Sequence, residues 1–489
     1  MSITIRNLPA EIISQIVSEV RHIYPKWGLP APGSDTHVHI DPEEPIYPDG
    51  LPSNPLLPLL FVSRPFFHAA RKVLYDHVSV STAHDAWLLL ESFSAGEHAA
   101  RTADEDAPPA IEHKEGDGHR VQKNVLASFV RQLSLGLIEY ITAPRGVAQI
   151  YIKLIEKTSR NLEKLAIQTM FPKSVTKPLL DALSHLPRLQ SLAIRFSTDR
   201  ESPSFFTPPH LLAIQRTSPD LDELTVEALA GAEDRPTTEA YTMVGTKRGN
   251  GLKTLVLVEP DVTLADFKVI LRDSQQTLTR LHMCRPSSVF TRFDLAFILL
   301  TYGETLTDLR LRFESSWWVE DPPFPEGAVP ACPSDYQTGK PTTEHLQQIA
   351  DASYILDAAL MYLPRLVSLD FNGALATAEM LNYVPESLQT LTWGNCPTIE
   401  PGMVIHLLSE TVTHQKWVTQ ADGTKGIEEY TTYVAPGLTS MSVVVHSYDY
   451  WTWNNTDQDG FKCAAEHHNI RCTFAKNELC LTPTPWQYL

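Results

Sequence analysis

The chain has 489 residues, 43% hydrophobic and 20% charged, ordinary for a folded soluble protein and enough for two to four domains or one extended repeat array. Its formal net charge of −18 speaks against general nucleic-acid binding, because displacing counterions from phosphates takes a basic surface. The opening MSITIRNLPAE lacks the apolar stretch of a secretory signal, no run reaches the roughly 20 apolar residues of a membrane span, and the six scattered cysteines suit a reducing interior. Membranes and secretion are therefore not expected, and cytoplasm or nucleus is.

From Asn7 the sequence NLPAEIISQIVSEVRHIYP predicts an amphipathic helix. Asn7 is a capping residue, Pro9 suits a first turn, and Glu11 complements the helix dipole. Leu8, Ile12, Ile13, Ile16, Val17 and Val20 recur at helical spacing. Residues 25–53 hold seven prolines and five acids and read as a loop. Asn54-Pro55 reopens a helix running to Arg64. Ser63 is placed to cap a third, with Phe66, Phe67, Ala70, Val73 and Leu74 as its apolar stripe, and DHVSVS leaves it as a short strand.

Residues 101–120, RTADEDAPPAIEHKEGDGHR, form a second loop of low hydrophobicity. Beyond it the motif L-x-x-L-x-hydrophobic recurs, from VRQLSL (Leu133) through LEKLAI, LQSLAI, LDELTV, LKTLVL, LTRLHM, LTDLRL, LVSLDF and LQTLTW to LTSMSV (Met441). Successive fourth positions lie 32, 27, 32, 31, 26, 28, 60, 22 and 50 residues apart, so insertions are expected at 321–343 and 418–429. Helical patterns precede several copies, such as VAQIYIKLIEKTSR before Leu162. A strand plus a helix cannot bury its apolar side alone, and stacked units can, which predicts an α/β solenoid. The Asn or Cys ladder usual in leucine-rich repeats is missing, apart from isolated residues such as Asn395-Cys396, so an irregular array is expected.

With these patterns in view, the N-terminal part resembles an F-box, and the whole chain resembles the F-box proteins with leucine-rich-repeat-like C-termini common in fungi. The residues that carry the likeness are Leu8-Pro9, Glu11-Ile12-Ile13-Ile16 and LPLLFVSRPFFHAAR, in which Val62-Ser63-Arg64-Pro65-Phe66 matches the family's Val-[Cys/Ser]-[Arg/Lys]-x-aromatic run. The family implies a small all-α three-helix box over 1–80, split here by the 25–53 loop. A linker over 81–124 follows, then an irregular leucine-rich-repeat horseshoe over 125–489, one curved and mostly parallel sheet with helices on its convex side. It implies a non-catalytic substrate-recognition subunit of a cullin-RING ubiquitin ligase, needing no cofactor. The box would bind the small adaptor subunit through Leu8, Pro9, Ile12, Ile16, Leu59, Val62 and Phe66, and the repeats would hold the target protein. The same residues could instead pack one small intramolecular core. A repeat scaffold with no ligase role is the alternative function.

Residues between the motif leucines should face the concave side of a solenoid. Arg280, His282, Arg310 and Arg312 stand at such positions in neighbouring copies. They read either as a solvated face with ordinary charges or as a strip for an acidic or phosphorylated segment. Trp317-Trp318 reads either as an exposed anchor or as core.

Two patterns point weakly to metal. Asp35-Thr36-His37-Val38-His39 resembles the His-x-His of metal-dependent amidohydrolases, but GLPAPGS before it is no barrel strand. Cys463, His467, His468, Cys472 and Cys480 match no common zinc spacing. They read better as a helix then a strand, with Cys463 and Cys472 as small core residues. Neither a metal nor a catalytic group is expected.

Overall fold

The computed structural model describes residues 9–23, 58–105, 126–136, 145–168, 173–194, 206–229, 251–313, 347, 349–350, 354–396, 398–409, 411–419, 425–433, 437–446 and 453–477. The expected loop at 25–53, the insertion at 321–343, Trp317-Trp318 and the His37-Val38-His39 motif lie outside them, as does the loop expected at 101–120 beyond Glu105, its first five residues being helical instead. Two compact units emerge. The first holds the described residues up to 194 with Ala213–Leu221, and the second holds Phe206–Leu212 and the described residues from Asp222 onward.

The first unit starts with helix α1, Ala10–Ile23, a short 3-10 turn at Pro58–Phe61, and helix α2, Arg64–Asp76. The helix expected from Asn54 to Arg64 is thus only this turn among the described residues. Ser63 breaks it in an extended conformation (φ −167°, ψ 166°) and makes no side-chain cap. Pro65, the second helical residue, removes one of the two N–H groups from which the Ser63 hydroxyl could accept.

Ile13, Val17, Phe66 and Ala70 pack together as a small core, with Leu59, Leu60, Ala69, Val73 and Leu74 around it. Helix α2 passes at His77 straight into strand β1, His77–Val80. Helix α3 then covers Ala83–Glu105, so the linker expected from residue 81 is helical through 105. Ala86 and Phe93, seven residues apart, are fully buried and anchor it.

Strands β2 (Gln132–Gly136), β3 (Lys164–Gln168) and β4 (Ser191–Ile194) continue the sheet, each parallel to its predecessor. Helices α4 (Arg145–Thr158) and α5 (Thr176–Leu183) make the crossovers. The motif positions are in register, Val78 with Leu133, Leu165 and Leu192. The first repeat strand is therefore the tail of the helical domain itself, with Val78 and Val80 in place of leucines.

The second unit has eight parallel strands: β5 Glu223–Glu227, β6 Thr254–Val258, β7 Arg280–Cys284, β8 Asp308–Arg312, β9 Ser368–Asn372, β10 Thr390–Gly394, β13 Ser440–His446 and β14 Arg471–Asn477. Leu224, Leu255, Leu281, Leu309, Leu369, Leu391, Met441 and Cys472 share one row. Strand β8 pairs directly with β9 although 60 residues separate Leu309 from Leu369. Strands β11 (Thr411–Thr419) and β12 (Lys425–Tyr433) form a separate antiparallel hairpin over the region where a polar insertion is expected.

Crossovers in the second unit use α7 (Leu264–Ile270), α8 (Arg292–Tyr302), α9 (Ile355–Ala359), α10 (Pro401–Ser409) and α11 (Asn455–His467), and α6 is Pro208–Thr217. Buried Asp294 and Asp266 are explained by capping. Asp294 Oδ2 accepts from Thr291 N at 2.8 Å, and Asp266 Oδ2 from Thr263 N at 2.9 Å. Both units are lengths of α/β solenoid, and each in-row leucine withdrawn from water stabilises it by about 1.5–3 kcal/mol.

Backbone and hydroxyl ladders replace the missing Asn ladder. Ala228, Glu259, Arg285, Gly373 and Asn395, each the first residue after a strand, have φ between 46° and 104°. This left-handed turn aims the N–H of Glu259 at Cys284 O (2.7 Å) and that of Arg285 at Arg312 O (2.6 Å). Before the strands, the hydroxyls of Thr277, Thr305 and Ser387 donate to Leu252 O (2.9 Å), Leu278 O (2.7 Å) and Leu366 O (2.8 Å), the first motif leucine of the preceding repeat. Thr305→Ala strands the Leu278 carbonyl and is expected to lower the unfolding free energy by about 1–2 kcal/mol in urea titrations, with Thr305→Ser retaining most of it.

Candidate functional site

Two surfaces carry the residues singled out by sequence. On the first, helix α1 has two apolar stripes. Ile13 and Val17 face the core, while Ile12 and Ile16, one position earlier, are 42% and 37% exposed. The 3-10 turn adds Phe61 (87% exposed) and Val62 (43%), and α2 adds Phe67 (37%). The stripe expected along α2 thus divides, Phe66 and Ala70 inward and Phe67 outward.

Of the residues assigned to adaptor contact, Pro9, Ile12, Ile16 and Val62 are exposed, Leu59 is half-buried, and Leu8 lies outside the described residues. Phe66 is 4% exposed inside the helices' own core, so it supports this surface from beneath and does not line it. Phe61 and Phe67 are not among the residues assigned to adaptor contact. For Phe67 the signal is the adjacent apolar pair Phe66-Phe67, of which a short helix can bury only one member.

Arg71 sits beside Phe67, its guanidinium 5.1 Å from the ring centroid and 5.7 Å from that of Phe129. Arg131 N donates to Asp76 O at 3.0 Å, and its side chain spans Asp76 (3.7 Å) and Glu163 (3.5 Å). The helices are therefore fixed to the first strands by backbone as well as by charge.

The second surface lies on β7, β8 and β9, on the side turned away from the leucine core. Register places Arg280 opposite Asp308, His282 opposite Arg310, Cys284 opposite Arg312, and Arg310 opposite Asp370. The four residues of the expected basic strip are thus neighbours, but interleaved with acids the sequence reading did not include. Asp308 takes three partners: Arg280 Nε at 3.0 Å, His282 Nε2 at 3.2 Å and Arg310 Nε at 3.7 Å. Arg312 Nη2 donates to Asp370 Oδ2 at 2.6 Å.

The side chain of Arg280 is 44% exposed, while those of His282, Asp308, Arg310, Arg312 and Asp370 range from 12% to 22%. Burial holds the His282 imidazole below its ordinary pKa, against the opposing pull of the Asp308 hydrogen bond and charge. Burial alone would raise the Asp308 carboxyl, but the hydrogen bond from His282 and the nearby cations bring it below the usual range. At neutral pH the patch is therefore an ion-pair network around an uncharged imidazole.

In the C-terminal segment, helix then strand is what the structure has, but Cys463 is exposed. It projects from the side of α11 away from buried Phe461 and Ala465. Cys472 fills a leucine place in β14, Cys480 lies outside the described residues, and Asn454 caps α11 by accepting from Asp457 N at 3.0 Å. Among the described residues no helix is long and apolar enough to cross a membrane.

Fold and surfaces together define an α/β repeat protein with a small helical N-terminal region. No protein-family model and no curated protein matches the chain. Among solved structures it is similar to one in a yeast Rad7 and Elc1 complex, with 11% identity over 68% of this chain and 75% of that chain and a TM-score of 0.31. It is also similar to one in a TLR13–ssRNA13 complex, with 10% identity over 71% of this chain and 46% of that chain and a TM-score of 0.23.

Proposed function

We propose that this chain is the target-recognition subunit of a cullin-RING ubiquitin ligase, non-catalytic itself, with the N-terminal helices as an F-box that binds the small adaptor subunit. The repeats then hold the protein to be ubiquitinated. The supporting observation is the second, uncovered apolar stripe, Ile12 and Ile16 on α1 with Phe61, Val62 and Phe67 beside the box core. Five large apolar side chains in so small a helical region are more than water-facing helices ordinarily carry, and such patches mark interaction sites. Leu8 and Pro9, which precede α1 in the sequence, belong to the same proposed contact.

Because Phe61 and Val62 are exposed, changing them leaves the core intact. A Phe61→Asp/Val62→Asp double variant is expected to melt within about 2 °C of the parent, since substitutions away from packed positions stay within about 0.5 kcal/mol. Its capture of the purified adaptor in a pull-down should fall at least about tenfold, equivalent to about 1.4 kcal/mol. Undiminished capture by the double variant, or no capture by the parent, overturns the ligase reading in favour of a repeat scaffold without one.

A further inference from the structure

The ion-pair network on β7 and β8 is lopsided. One carboxylate, Asp308, serves Arg280, His282 and Arg310 at once, at 3.0, 3.2 and 3.7 Å. Arg280 engages it through Nε and keeps almost half of its side chain in solvent. A guanidinium is a planar fork of five donors, and a single Nε contact leaves most of that fork for a second, two-oxygen acceptor. The neighbouring groups are well packed, with His282 12% and Arg310 21% exposed, so they are held in place before any guest arrives. On a chain of net charge −18, a cationic point surrounded by packed polar side chains is also a means of selection.

We propose that Arg280, with Arg310 beside it, docks one oxyanion group, a carboxylate or a phosphate, carried on a segment of the target protein. Asp308 is the resident counter-ion that this guest displaces. The resident carboxylate keeps the guanidiniums oriented and the patch stable when empty, and it competes with the guest for the same donors. It therefore sets the affinity low, as befits a site that must release its cargo. The inference deepens the reading in which the repeats hold the target, but it does not depend on the adaptor.

The competition gives the idea an unusual signature, a removal that improves binding. Asp308→Asn keeps a side-chain oxygen for Arg280 and deletes the negative charge. Removing a unit negative charge a few ångströms from the guest, even after screening by salt, is expected to read as roughly a tenfold change in affinity. The probes are two fluorescein-labelled peptides, penta-glutamate and Gly-Gly-phosphoserine-Gly-Gly, followed by anisotropy with the full chain at low salt, with inorganic phosphate as competitor.

Asp308→Asn is expected to bind about tenfold tighter than the parent, and Arg280→Gln, at a half-exposed position, about tenfold weaker. Binding of the phosphoserine peptide alone assigns the guest to phosphate, and binding of both peptides assigns it to either oxyanion. Equal binding by Arg280→Gln and the parent, or weaker binding by Asp308→Asn, overturns the proposal, the second leaving Asp308 a purely structural counter-ion. So does an oligothymidylate that binds with the same dependence on Arg280, because the site would then read nucleic-acid phosphates. Lost adaptor capture with intact peptide binding overturns only the ligase reading.

Discussion

Phe66→Ala is expected to unfold the N-terminal helices while leaving the repeats standing. The ring of Phe66 is 4% exposed and meets Ile13 and Val17 of α1 and Ala70 of its own helix. Truncating a buried phenylalanine costs about 3–5 kcal/mol, the lost transfer energy plus the cavity left behind. A region of this size rarely holds more than about 3–5 kcal/mol in total, so one side chain is comparable with the whole. Among the described residues this core is formed within the first unit, so the second, with its eight in-row strands, is expected to keep its stability. Hydrogen exchange resolved by peptide should therefore show the amides of α1 exchanging at least about a hundredfold faster, a loss of about 3 kcal/mol of local protection, with β5 to β10 unchanged. Phe67→Ala, one position on but 37% exposed, should change α1 protection by less than about tenfold. Equal effects at the two positions would mean that the assignment of Phe66 to the inside is mistaken.

This contrast shows what was legible in the sequence. Helical periodicity identified α1 and α2 and their apolar residues, but an apolar stripe does not say which part faces the chain. Ile12 and Ile13 look alike in sequence, and only the position of α2 and the Pro58–Phe61 turn buries one and exposes the other. The repeat strands were more readable, because each motif carries its own leucines and the register follows from stacking. The strands at His77–Val80 and Arg471–Asn477 are legible as strands but not as copies of the motif, because Val78 and Val80 in one, and Cys472 and Phe474 in the other, keep the shape of the motif with different side chains. The hydroxyl ladder is written in Thr277, Thr305 and Ser387, one position before motif leucines, whereas the asparagine or cysteine ladder is expected shortly after the motif.

The charged surface was half legible. Alternation placed Arg280, His282, Arg310 and Arg312 on one side of the sheet, as the register has them. Counting only the basic residues missed Asp308 and Asp370, which stand at the same alternating positions and turn a basic strip into a network of pairs. Left-handed turns at Ala228, Glu259 and Arg285 could not be read from residue type, since none of the three favours positive φ. The ladder bonds and, for Glu259 and Arg285, a mutual ion pair at 2.7 Å offset strain of about 1–3 kcal/mol per residue.

Trp393→Ala is expected to loosen the last described repeats of the second unit as Phe66→Ala loosens the helices of the first. Trp393 fills the last motif position of β10, 2% exposed, in the row that continues to Val443 and Phe474. Its ring packs on Trp453 (6.2 Å between centroids) and edge-on to Phe461 (6.0 Å), and Phe461 in turn meets Phe474 at 5.7 Å. This cluster joins β10 to α11 and β14, the last helix and strand described. In a stacked array each repeat is held only by its neighbours, so damage at β10 is expected to release everything beyond it. Alanine should cost about 3–5 kcal/mol in guanidinium unfolding, and amides of β14 should lose protection well before those of β7. Trp393→Phe is the informative partner. The indole Nε1 is buried with no hydrogen-bond partner among the described residues, so phenylalanine gives up ring area but no bond. It should keep more than half of the stability that alanine loses. If phenylalanine proves as damaging as alanine, the nitrogen has a partner that matters and the end of the array is held by polar recognition. If it does not, close packing of aromatic faces is enough to hold the last described strand, where a cysteine takes the leucine place.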